Sequence, residues 1–68
     1  MENLIEKIYE QNKHKHIRKK EIEKLLFFLR FSCLYPTHEL ETYYNNSGLE
    51  GLIFMAELEK SSRNMKNI

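Results

Sequence analysis

Sixty-eight residues make one small domain, and at that size folding buries only about 60% of the surface that the unfolded chain exposes. The single cysteine, Cys33, rules out an internal disulfide, so extra burial is expected from a second chain. Eleven basic against ten acidic residues exclude a strong global pull toward nucleic acid or anionic lipid, while two Gly and one Pro among abundant Leu, Lys, Glu and Ile favour helix over sheet.

Leu4, Ile5, Ile8 and Tyr9 recur at i, i+1, i+4 and i+5, the stripe of an amphipathic helix over residues 2–12. Asn3 is its expected cap, with Glu6 three residues on as a loose capping box. Glu2 and Glu6 also suit the positive end of the helix dipole. Downstream, Gln11, Lys15, Arg18 and Lys19 occupy the positions where the apolar stripe would continue. So long a polar interruption predicts a break or an exposed joint near His14–His16, against the alternative of one long helix passing through solvent.

Residues 17–35 carry the strongest helical signal. Within Leu25–Tyr35 every residue except Arg30 and Ser32 is Leu, Phe, Cys or Tyr. Ile22, Leu25, Leu26, Leu29 and Cys33 form one stripe at helical spacing, and Phe27, Phe28, Phe31 and Leu34 cover the opposite side. A helix apolar all round must be buried all round, and burial of each Phe or Leu contributes about 1.5–3 kcal/mol. Two neighbouring elements cover one side at most, so a partner is expected on the other. Pro36 is expected to end this helix, with Thr37 capping the next and Glu39 to Glu41 in its first turn.

Leu40, Tyr43 and Tyr44 give a short helix one apolar edge. Asn45-Asn46-Ser47-Gly48 is the clearest loop signal, with Gly48 suited to a left-handed C-terminal position. The last helix is expected over residues 49–62, with Leu49, Leu52, Ile53 and Ala56 on one face and Phe54, Met55 and Leu58 beside it. Together these elements predict an all-α fold. It is a small bundle of three to four helices around a central, almost wholly apolar helix, with Leu25–Tyr35 packed on Leu49–Leu58. The domain is expected over residues 1–62 and a frayed polar tail over 63–68.

The apolar run is about half of the ~20 residues needed to span a bilayer, and it contains Arg30. It begins too late for a secretory signal, and Arg30 stands where a lipoprotein signal wants an aliphatic residue. A lone thiol suits a reducing compartment, so a cytoplasmic protein with no membrane contact is expected. Abundant Lys, Asn and Ile point to AT-rich coding DNA, as in a bacterial mobile element or phage.

No enzyme chemistry is expected. His14 and His16 would point about 200° apart on a helix, and no Cys or His pair has metal-ligand spacing with Cys33 or His38. Cys33 and His38 as nucleophile and base lack the Gly-rich turns that build an oxyanion hole. Neither metal nor cofactor is implied. Lys13, Lys15, Arg18, Lys19, Lys20 and Lys24 are candidate phosphate contacts, diluted by Glu21 and Glu23. Thr37–Lys60 reads helix-turn-helix, but its second helix opens Leu49-Glu50-Gly51-Leu52-Ile53, apolar and acidic where base-reading residues would stand.

The leading expectation is a non-enzymatic protein-binding module: a regulator, adaptor or chaperone that acts as a homodimer or with a larger protein partner. Its contact would be carried by Phe27, Phe28, Phe31, Leu34, Tyr43, Tyr44, Phe54 and Met55, since aromatic and Met side chains are enriched at interfaces. The alternative is a small DNA-associated transcriptional regulator whose Lys13–Lys24 segments add in a dimer.

Overall fold

The chain enters its first helix, α1 (Glu2–Asn12), without a side-chain cap. Met1 stands at the cap position, and its carbonyl accepts the Ile5 amide at 3.1 Å. Asn3 therefore lies inside the first turn and does not cap it. Leu4, Ile5 and Ile8 are buried, as the stripe predicts. The computed structural model describes residues 1–66, with side chains described to residue 63, and among the described residues every regular element is helical.

The polar interruption ends α1. Lys13–Lys15 tighten into a 3-10 turn, and His16 takes a left-handed backbone at φ 60°, ψ 31°. The next helix, α2 (Lys19–Phe27), folds back against α1 behind Arg18, whose carbonyl accepts the amides of Glu21 at 3.0 Å and Ile22 at 3.3 Å. Two lysines in the first turn oppose the helix dipole, and an ion pair from Lys19 to Glu6 of α1 offsets one of them. The segment is two helices joined by a turn, not one long helix.

The apolar stretch departs from the expected single helix. After Phe27 the backbone opens into a π-helical turn, Phe28–Ser32. The Cys33 amide donates to the Phe28 carbonyl at 3.1 Å, and the Tyr35 amide to the Leu29 carbonyl at 3.0 Å. This is a Schellman-type closure one residue wider than usual. Leu34 takes the left-handed position at φ 63°, where Gly normally sits. The helix has thus ended by Cys33, ahead of Pro36. The proline's carbonyl begins the last helix, accepting the amides of Glu39 and Leu40, both at 3.1 Å, so Pro36 and not Thr37 stands at the cap.

The last helix, α3 (Thr37–Lys66), is broken at Gly48, where φ is 72° and ψ −171°. A straight helix of 30 residues would measure about 45 Å, more than the 39 Å longest dimension of the fold. The break is confined to Gly48; Asn45, Asn46 and Ser47 remain helical. Its ψ lies outside the left-handed helical well, in a region open essentially to Gly alone. The bend brings Ser47 so near Gly51 that a Cβ at Gly51 would lie 2.2 Å from that of Ser47. Of the tail expected over 63–68, residues 63–66 continue α3 as helix, and 67–68 lie outside the described residues.

One apolar core joins these elements. It takes Leu4, Ile5 and Ile8 from α1, Ile22 and Leu26 from α2, and Leu29 from the π turn. α3 adds Leu40 and Tyr44 before its bend, then Leu49, Leu52, Met55 and Ala56 after it. The one buried polar side chain among the described residues, Asn12, leaves no fully buried polar atom without a partner. Its amide donates to the Ile8 carbonyl at 2.8 Å and to Tyr44 Oη at 3.0 Å, while Tyr44 Oη donates to Gln11 Oε1 at 2.6 Å. Lys7 adds a second tie between α1 and α3, donating to Asn45 Oδ1 at 3.0 Å.

Candidate protein-binding faces

Sequence spacing divides Leu25–Tyr35 into an inward and an outward side, and the structure keeps most of that division. Ile22, Leu26 and Leu29 are fully buried, while Leu25 and Cys33 are half-buried. On the other side Phe27 is exposed, Phe31 is 64% exposed and Leu34 77%. The Phe27 and Phe31 rings lie 5.8 Å apart, tilted against each other, and the Arg30 guanidinium sits 5.5 Å from the Phe31 ring. Leu34 therefore combines a bulky apolar side chain, near-complete exposure and a strained backbone, for which the fold gains no packing in return.

Phe28 is a correction. It was expected on the open face, yet it is half-buried, because α3 supplies it with a cationic roof. Lys60 Nζ and Arg63 Cζ each lie 5.4 Å from its ring centre. Arg63 also donates to the Ser32 carbonyl and approaches Cys33 Sγ at 3.9 Å, and Tyr35 Oη donates to Glu59 at 3.1 Å. These contacts clamp the π turn to α3.

On α3 the expected contact residues divide again. Tyr43 and Phe54 are exposed, the latter at 64%. Tyr44 and Met55 are only 7% and 6% exposed and belong to the core, so neither lies on a free face. Tyr44 is drawn inward by its bonds to Asn12 and Gln11. Met55 replaces Ile53 in the core because the bend at Gly48 sets the rotation of the following turns. Ile53 and Leu58 are left exposed. Leu49, Leu52, Met55 and Ala56 are still a helical stripe, so periodicity alone was compatible with either choice.

A shallow apolar groove runs between α2 and the second half of α3. One hollow of about 230 Å³ is lined by Ile17, Leu25, Leu49 and Ile53 together with Glu21 and Ile22. A second, of about 260 Å³, continues past Leu25 to Phe28, Ala56, Lys24 and Lys60.

The basic cluster is not one continuous surface on a single helix. Lys13 and Lys15 lie in the 3-10 turn, and Lys19, Lys20 and Lys24 on α2 beyond the left-handed joint. Lys13 pairs with Glu10 at 2.9 Å and Lys19 with Glu6, and each carboxylate raises the pKa of its lysine above 10.5. Among the described residues Lys15, Arg18, Lys20 and Lys24 make no ion pair.

Among the described residues no group of three or more His, Cys or Glu side chains is placed to hold a metal ion. His14 lies in the 3-10 turn, His16 at that turn's left-handed end and His38 in α3, and all three are exposed. Burial pushes the Cys33 thiol up from its ordinary 9.0, with Glu59 adding to the rise and Arg63 opposing it. A thiol shifted that way is protonated and weakly nucleophilic at neutral pH. Among the described residues no helix is long and apolar enough to cross a membrane.

Comparison with protein-family models, with curated proteins and with solved structures finds no match to this chain.

Proposed function

We propose that this protein is a small non-enzymatic binding module, a regulator, adaptor or chaperone, that presents an apolar helical face to another chain. The observation that carries this reading is the exposure of Phe27, Phe31, Leu34 and Phe54 around a core that is already complete without them. Scattered apolar residues on a surface need no explanation, but aromatic side chains repeated along one side of a helix are the composition of an interface centre. In this reading α2 and its π turn are the central element of a three-helix bundle, with one side serving the fold and the other the partner. The cytoplasm is the setting that the lone thiol fits.

A photo-crosslinking residue in place of Phe31, expressed in the native host, tests the proposal, with the same residue at exposed His14 as control. Protein adducts specific to position 31 support it; none at position 31 beyond those at position 14 overturns it. The DNA-associated alternative rests on Lys15, Arg18, Lys20 and Lys24, the cations of that segment that make no ion pair among the described residues. It requires duplex affinity that falls steeply with salt, and flat or absent binding removes it.

A further inference from the structure

The two exposed helical faces differ in charge. On α2, Lys20, Lys24 and Phe27 follow one another at i, i+4 and i+7. Phe31 of the π turn stands beside Phe27 with the rings 5.8 Å apart, and all four residues are exposed. On α3, Glu50, Phe54, Glu57 and Leu58 fall at i, i+4, i+7 and i+8, and all four are exposed. Such spacings place Lys20, Lys24 and Phe27 on one side of α2 and the second set on one side of α3, and the contact of the two rings extends the first face into the π turn. Lys20, Lys24, Glu50 and Glu57 make no ion pair among the described residues. One face is therefore aromatic and basic, the other apolar and acidic.

Both faces point away from the core that their own helices build. α2 turns Ile22 and Leu26 inward, the π turn adds Leu29, and α3 turns Leu49, Leu52 and Ala56 inward. Helix sides opposite a shared core cannot meet within one chain. Between two chains they can.

We propose that the α2 face of one copy packs against the α3 face of a second copy. This rests on the binding role proposed above and adds the identity of the partner. An antiparallel register that sets Lys24 beside Glu57 also sets Phe27 against Phe54, because each pair is separated by three residues. The same register brings Glu50 to the π turn, where Arg30 lies over Phe31. The two opposed patches attract unlike faces and repel like ones. The contact excludes water from the Phe side chains, while the charges fix which faces meet.

Two full-length variants test this. One carries Lys20→Glu with Lys24→Glu, making both faces acidic; the other carries Glu50→Lys with Glu57→Lys, making both basic. Sedimentation equilibrium is run on wild type, each variant and their equimolar mixture, with far-UV circular dichroism confirming that each is folded. Wild type should self-associate, less so in high salt, and each variant alone should associate about tenfold or more weakly. The mixture should associate more tightly than either component, since the Lys24→Glu site of one chain then meets the Glu57→Lys site of the other, while the unchanged Arg30 still opposes the Glu50→Lys site. A wild type that stays monomeric, or a mixture no tighter than its components, overturns the pairing. Adducts from position 31 to a different protein, with a monomeric wild type, overturn this inference alone and leave the binding role standing. Absence of any adduct there overturns both.

Discussion

Replacing Gly48 by alanine separates a broken α3 from a continuous one by the sign of its effect. In an unbroken helix a Gly→Ala change stabilises by about 1 kcal/mol through helix propensity. At φ 72°, ψ −171° an L-residue instead incurs roughly 1–3 kcal/mol of backbone strain. No atom lies within 4 Å of the added Cβ, so packing contributes nothing to the outcome. The mirror image of this conformation, near φ −72°, ψ 171°, is ordinary extended backbone for an L-residue. D-alanine at position 48 is therefore expected to fit without strain, and to stabilise by roughly 0.4–1 kcal/mol by restricting the unfolded chain. A 68-residue chain is within reach of chemical synthesis, so both epimers can be melted in urea and followed by circular dichroism. With a slope near 1 kcal/mol per molar, L-alanine should lower the midpoint by roughly 1 M or more while D-alanine holds or raises it. A midpoint raised by L-alanine, or lowered equally by both epimers, would refute the bend.

The core and the open face should respond oppositely to truncation. Leu29→Ala, at a fully buried site, is expected to cost about 2–5 kcal/mol, whereas Phe31→Ala should change stability by roughly 0.5 kcal/mol or less in urea melts. Tyr44→Phe removes the hydroxyl shared by Asn12 and Gln11 and should cost about 1 kcal/mol, with Gln11→Ala adding little once the hydroxyl is gone. Alkaline pH should destabilise the fold. The Tyr35 phenol is raised above 10.0 chiefly by its hydrogen bond to Glu59, and Cys33 above 9.0 chiefly by burial. A raised pKa means that the folded chain holds its proton more tightly, so this stability is intact below pH 9 and is lost as pH climbs through the folded values. Tyr35→Phe with Cys33→Ala should flatten that decline in urea melts above pH 9; an unchanged slope would assign it to other groups.

Much of this arrangement was legible in the residues. The side of α2 that carries Ile22, Leu26 and Leu29 follows from apolar periodicity, and the joint near His14–His16 from its interruption. Gly48 announced the bend because few other residues tolerate positive φ. What spacing could not supply was the rotation of the helix beyond that bend, which exchanged Met55 for Ile53 in the core. Nor could it show contacts made across long stretches of chain. Tyr44 is buried by partners in α1, and Phe28 is roofed by Lys60 and Arg63, more than 30 residues away. The π turn has no periodic signature, and its closure places Leu34 where glycine would be the natural choice. Of the eight contact residues expected, Phe27, Phe31, Leu34, Tyr43 and Phe54 are exposed.

The π turn also bears on how this chain can vary in length. A turn closed from i to i+5 is an α-helical turn with one residue inserted. Deleting one residue within Phe28–Ser32 beyond Leu29 would return the backbone to ordinary pitch, with Ile22, Leu26 and Leu29 all upstream of the change. The segment is thus a splice point whose alterations fall on the outward residues and the path to Pro36. Contact residues at that end can be revised by a single codon while Ile22, Leu26 and Leu29 keep their register, and the contacts of Ser32 and Tyr35 with α3 bear the change.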